Sequence, residues 1–215
     1  MATRSPVKRP YTSTLRAAQA EATRRTVVDA AARLFIQDGY GATSVDAIAQ
    51  AAGVSRKTVF TSVGGKLETL KLAIDWAITG DSDPIPVLER PHVQAALHDP
   101  DARHILRDFA ASVVDVMRRT AALDRVLASA AGLDPDLRAL SDELRDQRQI
   151  GMSFLAALLD TRQALRPDLT VSEAADVLWL FNDSSVYHRL VVEQSWTAER
   201  YASWLADSLI GLLIA

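Results

Sequence analysis

A run of hydrogen-bond donors lies between residues 55 and 62, in the stretch SRKTVFTS. The guanidinium group of Arg56 can donate two parallel hydrogen bonds to the edge of a guanine base. The ammonium group of Lys57 and the short hydroxyl side chains around it suit phosphate oxygens. This combination of groups predicts recognition of a nucleic acid.

Two short helical patterns, separated by a tight turn, would position these donors. Thr43 is predicted to be the N-cap of the first helix, with Asp46 in the reciprocal capping position, and Ser55 is predicted to cap the second. Gly53 lies in the turn, where a positive φ is needed. A turn this short makes the helices cross steeply, so the second helix protrudes and fits a major groove. The predicted DNA contacts are Thr43, Ser44, Ser55, Arg56, Lys57, Thr58, Phe60, Thr61, Ser62 and Lys66.

The charge distribution agrees with an anionic partner for one end of the chain. Residues 1–66 hold ten Lys/Arg and four Asp/Glu, whereas residues 67–215 hold fourteen and twenty-three. The 215 residues contain no cysteine, which excludes disulfides and cysteine-bound zinc. We see no secretory signal and no apolar run of membrane-spanning length, so we expect a soluble, cytoplasmic protein without a membrane partner.

Periodicity predicts an all-α fold of about nine helices, with almost no strand signal. The sequence predicts a helix stop at Gly39 and two separate helices over residues 101–120 and 121–132. The predicted N-caps of later helices are Asp134, Thr170 and Thr197, and Thr170 is expected to form a capping box with Glu173.

Residues 1–14 are predicted to form a disordered basic arm, in which Arg4, Lys8 and Arg9 could contact phosphates together with Arg16. We expect the helix-turn-helix domain and its connecting helix over residues 15–79. A helical ligand-binding and dimerisation domain is predicted over residues 80–215.

We expect neither an enzyme nor a metal or organic cofactor. The four histidines, at positions 92, 98, 104 and 188, form no HExxH or similar metal-ligand spacing. Gly151-Met152-Ser153 lacks the second glycine of a nucleophile elbow, and Gly64-Gly65-Lys66 lacks the upstream glycine of a phosphate-binding loop.

The middle helices carry aromatic and methionine side chains that suit either core packing or a cavity for an apolar ligand. The candidate lining residues are Phe109, Val113, Met117, Met152, Trp179 and Tyr187. The last helix is apolar nearly all round, which predicts a partner on two sides. Its candidate dimer-interface residues are Tyr201, Trp204, Leu205, Leu209 and Leu212.

Residues 24–72 resemble the N-terminal domain of the TetR family of bacterial transcriptional repressors. The matching stretches are LFIQDGYGATSV, IAQAAGVS and KTVFTSVGGKLETL. Phe60 stands where the family usually has Tyr, and Ser62 where it has His or Tyr. The resemblance implies a helical C-terminal domain that binds a small effector and dimerises through its last two helices.

The resemblance implies a homodimeric repressor that a small, largely apolar effector releases from a near-palindromic operator. Three alternatives stay open from the residues alone. The chain could be a regulator without a small ligand, acting as an activator or co-regulator. It could be a helical protein-interaction module with a degenerate DNA reader, or an enzyme of no recognised motif.

Overall fold

The computed structural model describes residues 11–215, with side chains from Leu15 onward, and all its regular elements are helical. The one β-type pairing among these residues is an isolated bridge between Leu165 and Ile214. The predicted all-α fold is therefore confirmed. Contacts divide the chain into two compact units, the first ending at Ala73 and the second covering Ile74–Ala215. The side chains of the predicted basic arm, residues 1–14, lie outside the described part.

The first unit is built from α1 (Tyr11–Ala42), α2 (Val45–Ala52), α3 (Arg56–Val63) and the start of α4 (Lys66–Thr79). Helix α1 begins at Tyr11, before the predicted start at Leu15. Gly39, the predicted stop, has φ 81° and breaks the helical geometry. The three helices bury a common apolar core, whose members are Val27, Val28, Ala31, Phe35, Ile48, Ala49, Val59 and Val63.

The second unit contains the remaining helices and two irregular turns. They are a 3-10 turn (Val87–Glu89), α5 (Pro91–Leu97), α6 (Ala102–Ala131), α7 (Pro135–Thr161), α8 (Val171–Phe181), α9 (Ser184–Tyr187), a π-helical turn (His188–Glu193) and α10 (Ala198–Leu213). The predicted N-caps Asp134, Thr170 and Thr197 are confirmed, and Thr170 forms the predicted capping box with Glu173.

The sequence predicts two helices where the structure has the single helix α6. The expected break near Ala121 does not occur, because no glycine or proline interrupts the helix there and the Thr120 side chain is buried. Helix α6 packs mainly against α7 and α10. It thus runs through the middle of the second unit and carries many of its core residues.

Candidate nucleic-acid interface and ligand cavity

Helices α2 and α3 both begin at a serine that caps the helix. The Ser44 hydroxyl accepts a hydrogen bond from the Ala47 N–H at 3.1 Å. Ser55 accepts one from the Thr58 N–H, also at 3.1 Å. These caps satisfy donors that the helices cannot pair internally, and they fix where each helix starts.

Gly53 makes the turn between α2 and α3, as predicted. It adopts the left-handed conformation, with φ 66° and ψ 29°. Its N–H donates to the Gln50 carbonyl, and the Val54 N–H donates to the Ala49 carbonyl at 3.0 Å. This pattern ends α2 within one residue and lets α3 start at once in a new direction.

The prediction that Thr43 is the N-cap of α2 is wrong. The N-cap is Ser44, so Asp46 is one position too early to complete a capping box. The Thr43 side chain is only 2% exposed, and its hydroxyl donates to the Gly39 carbonyl at 2.8 Å. Thr43 therefore holds the end of α1, and its side chain has no surface to offer a phosphate.

The outer side of α3 exposes Arg56, Lys57, Phe60 and Thr61, four of the predicted DNA contacts. The Arg56 Nη1 donates to Asp46 Oδ2 at 2.8 Å, and its guanidinium carbon lies 5.6 Å from the centre of the Phe60 ring. The ion pair is open to solvent, with the Arg56 and Asp46 side chains 59% and 66% exposed. Sequence analysis missed Asp46 as a partner of Arg56, although opposite charges on either side of a tight turn are a usable signal.

The hydroxyl groups of α3 are engaged with the helix itself. Thr61 Oγ1 donates to the Lys57 carbonyl at 3.1 Å, and Ser62 Oγ donates to the Thr58 carbonyl at 2.7 Å. A hydroxyl has one hydrogen, so each of these groups must rotate before it can donate to a phosphate. Their role in DNA contact stays a prediction.

Lys66, the last predicted contact, connects the start of α4 to the end of α1. Its Nζ donates to the Tyr40 carbonyl at 2.9 Å and lies 4.1 Å from the centre of the Tyr40 ring. The ammonium group is thus held by a carbonyl and by the face of an aromatic ring. Sequence analysis gave no sign of this second, structural role.

The second unit contains a cavity of about 1300 Å³ among α6, α7, α8 and the segment that follows α8. Its lining includes five of the six predicted residues, which are Phe109, Val113, Met117, Met152 and Trp179. Tyr187, the sixth predicted residue, does not belong to the lining, and its ring stands edge-on to Tyr201 at 5.3 Å in the core.

Polar side chains in the same lining were not predicted. Arg148 Nη2 lies 3.0 Å from Asp183 Oδ2, and the Arg148 guanidinium lies 4.7 Å from the centre of the Trp179 ring. Asp124 also belongs to the lining, and burial raises the pKa of its carboxyl group. The cavity therefore combines apolar walls with a few charged groups, as ligand sites commonly do.

Helix α10 is less apolar on its outer side than the sequence analysis expected. Tyr201, Leu205 and Leu209 are fully buried in the core of their own chain, so their assignment to a dimer interface is wrong. Trp204 is half-buried and packs against Phe181, Trp196 and Tyr201. Leu212 alone of the five is exposed. The other exposed positions of the helix, Glu199, Arg200, Ser203, Asp207 and Gly211, are polar or lack a side chain.

No helix in the described part of the chain combines the length and the apolar composition that a membrane-spanning segment needs. Within the same residues, no group of three or more His, Asp or Glu side chains is arranged to hold a metal ion.

The helix-turn-helix segment is similar to that of known bacterial regulators. The model of the family described as bacterial regulatory proteins, tetR family, matches residues 27–68. The HTH-type transcriptional regulator SrpR of Pseudomonas putida is 41% identical over 58 residues, which are 27% of this chain and 27% of SrpR. Residues 27–68 therefore carry a helix-turn-helix of the tetR-family type. The matched segment spans only about a quarter of the length of SrpR.

Solved TetR-family structures share the fold over most of the chain. A putative TetR-family regulator from Syntrophomonas wolfei has a TM-score of 0.70 at 15% identity, covering 88% of this chain and 93% of its own. NalD of Pseudomonas aeruginosa, the secondary repressor of the MexAB-OprM multidrug efflux pump, has a TM-score of 0.68 at 20% identity, covering 91% and 98%. At these identities the likeness concerns the fold. TetR-family regulators are non-enzymatic transcription factors, in agreement with the sequence analysis.

Proposed function

We propose that this chain is a homodimeric transcriptional repressor that binds a near-palindromic operator and leaves it when a small molecule enters the cavity. Residues 15–79 would read the DNA, and residues 80–215 would bind the ligand and form the dimer. The observation that carries the proposal is the start of α3, where Ser55 caps the helix and Arg56 and Lys57 are exposed side by side.

Helix α3 has the features of a recognition helix. Its first turn presents a guanidinium group for a guanine edge and an ammonium group for a phosphate. The N-terminal ends of α2 and α3 add partial positive charge close to the same surface. The position of Phe60 among these groups suits apolar contact with a thymine methyl group or a sugar, in place of the hydroxyl contact that a tyrosine makes.

Dimerisation would place two copies of α3 on one face of the duplex. A single recognition helix covers a few base pairs, and half-sites of such dimers lie about one helical turn apart, roughly 34–36 Å. Helices α8 and α10 contact each other and keep the apolar side chains of Leu180 and Leu212 exposed. A second copy of the same pair would cover them in a two-fold arrangement. Of the five residues that the sequence predicted for the dimer interface, only Leu212 belongs to this exposed pair.

Release by a ligand requires that the cavity bias the position of α4. Within the second unit, Arg119 connects α6 to the last turn of α4. Its Nε donates to the Ala77 carbonyl at 2.7 Å, and its Nη2 donates to the Ile78 carbonyl at 3.2 Å. Met117 and Thr120, its neighbours on α6, line the cavity. A ligand that favours one position of α6 would thereby favour one position of α4, and it acts only through its different affinity for the two states. The repressor role that NalD's name records supports the direction of this control.

The test is selection of bound sequences from a random duplex pool at near-physiological salt. We expect enrichment of a near-palindrome with half-sites about one turn apart. Arg56→Ala should relax the preference at one position of each half-site, whereas Lys57→Ala should weaken binding to all sequences alike. Absence of enrichment, with only weak salt-sensitive binding, would refute sequence-specific recognition and favour the protein-interaction module. An enriched operator that drives higher expression from a reporter would identify an activator.

A further inference from the structure

Asp124 is a half-buried carboxylate of the cavity lining that has no cation in direct contact among the described residues. Asp124 lies on α6, one turn after Thr120 and two turns after Met117, and all three residues line the cavity. Burial raises the pKa of its carboxyl group more than the hydroxyl side chains of Ser184 and Thr120 and the charge of Arg148 lower it. Within the described part of the chain, Asp124 forms no ion pair.

Asp183, in the same lining, is a carboxylate that has both a hydrogen-bond donor and a cation in direct contact. It receives a hydrogen bond from the Ser185 N–H at 2.9 Å and an ion pair from Arg148 at 3.0 Å. Burial acts on Asp183 as well, but these hydrogen bonds and the nearby Arg148 charge outweigh it and lower the pKa. The two acids differ in their partners, and of these two Asp124 is the one without a cation in direct contact.

The half-buried basic groups of this lining are already engaged, which makes them poor receptors for an anionic ligand. Arg148 is paired with Asp183, donates to the Asn182 carbonyl at 3.2 Å and lies over the Trp179 ring. His188 Nε2 lies 3.2 Å from Arg125 Nη1 and 3.5 Å from Glu193 Oε1. An anion would compete with carboxylates for these groups, and it would bring a second negative charge towards Asp124.

We propose that Asp124 is the anchor for a cationic nitrogen, so that the cavity takes amphiphiles with one ammonium group and an apolar body. This inference rests on the ligand-binding role of the cavity proposed above. The ammonium group supplies a cation in direct contact with Asp124, which Arg148 does not, and the cost of burying the carboxylate falls when the pair forms. Phe109, Met117, Met152 and Trp179 supply apolar walls for the body of the ligand, with aromatic faces that also attract cations. The volume of about 1300 Å³ exceeds the roughly 300–1000 Å³ of common ligand sites, so a long alkyl chain fits.

The experiment compares three probes of equal chain length by isothermal titration calorimetry. They are decyltrimethylammonium, 1-decanol and decanoate, each titrated into the full-length wild-type chain below its micellar concentration. We expect the cation to bind on the order of tenfold more tightly than the alcohol, and decanoate to bind most weakly. Equal affinities, tighter binding of decanoate, or no binding of the cation would overturn the proposal without any mutant.

Two matched variants then assign the effect to Asp124. Asp124→Asn keeps the shape of the side chain and removes its charge, so it should lose about tenfold in affinity for the cation and keep its affinity for 1-decanol. Asp160→Asn makes the same charge change on α7 at an exposed side chain outside the cavity lining, and it should leave the affinity for the cation unchanged. Equal losses in the two variants would show a general charge effect and would overturn the assignment.

Operator binding, measured on the same samples, separates the two proposals. If the cation result fails while operator binding persists, the inference about Asp124 falls and the DNA-binding function stands. If operator binding fails while the cation binds through Asp124, the repressor proposal falls and the ligand site stands.

Discussion

Removing either side chain of the ion pair between Arg56 and Asp46 should change the affinity for DNA, and the two changes should have opposite signs. The pair is short, at 2.8 Å, but more than half of each side chain is exposed. Exposed pairs of this kind stabilise a fold by about 0–1 kcal/mol. A good contact between an arginine and a guanine contributes about 1–3 kcal/mol of discrimination. Arg56 therefore gains more from the base than it loses by leaving Asp46.

We expect Arg56→Ala to weaken binding to the selected operator by about 5- to 140-fold, which is about 1–3 kcal/mol. Asp46→Ala should strengthen binding by up to about fivefold, because it removes the competing carboxylate and a negative charge near the phosphates. Neither change should lower the free energy of unfolding by more than about 1 kcal/mol.

The assay is fluorescence anisotropy with an operator duplex and an unrelated duplex, repeated over a series of salt concentrations. Asp38→Ala on α1 is the control, since it removes an exposed acid of the same type outside the helix-turn-helix. If the gain in operator affinity from Asp46→Ala depends on Arg56, Asp46→Ala should give less or no gain when Arg56→Ala is already present, as in the double variant. If Asp46→Ala weakens operator binding, the carboxylate orients Arg56 for the base instead of competing with it, and the reasoning is refuted. Equal losses on both duplexes for Arg56→Ala would show that Arg56 contacts a phosphate.

Three further predictions concern stability. Gly53→Ala should lower the free energy of unfolding by about 1–2 kcal/mol in urea titrations, because φ is 66° there while the added Cβ meets no atom within 4 Å; an unchanged midpoint would contradict this. Tyr201→Phe should leave the thermal midpoint unchanged or raise it, since the Tyr201 hydroxyl is buried and no described residue forms a hydrogen bond with it; a clear fall would reveal a partner. Asp124→Asn should raise the thermal midpoint at neutral pH. Because the pKa of Asp124 is raised, the folded state holds the proton more tightly than the unfolded state does, and the wild-type chain loses stability as pH rises from the ordinary pKa of Asp through the raised pKa of the folded state. If the thermal midpoints of wild type and Asp124→Asn still differ well below the ordinary pKa of Asp, this cause is refuted.

The features that sequence analysis predicted correctly depend on residues close together in the chain. The left-handed turn at Gly53, the cap at Ser55 and the capping box of Thr170 and Glu173 each involve a few consecutive residues. The one cap that was misplaced has two suitable residues side by side. Thr43 and Ser44 are both good N-cap types, and the choice between them depends on Gly39, whose carbonyl accepts the Thr43 hydroxyl.

The charged groups of the candidate sites could not be assigned in this way, because their partners lie far away in sequence. Asp124 and Asp183 are the same residue type in the same cavity lining, yet their pKa values shift in opposite directions. The difference comes from the hydrogen bonds that Ser185 makes to Asp183 and from the direct ion pair of Asp183 with Arg148 on α7, whereas Arg148 acts on Asp124 only through its charge. Only the packing of α6, α7 and the start of α9 decides which acid keeps a counter-ion.

The last helix shows why an apolar pattern does not identify an interface by itself. The pattern of α10 predicts burial of Tyr201, Leu205 and Leu209, and these side chains are buried, but against the helices of the same chain. An interface requires apolar surface that remains after the chain has folded, and burial in the folded monomer removes these three from the candidates. Leu180 is a candidate for the opposite reason, since it sits on a helix with a buried face and is still exposed. A charged substitution such as Leu180→Glu should therefore weaken a dimer without unfolding the monomer, whereas Leu205→Glu should unfold it; sedimentation and circular dichroism on the two variants would separate the outcomes.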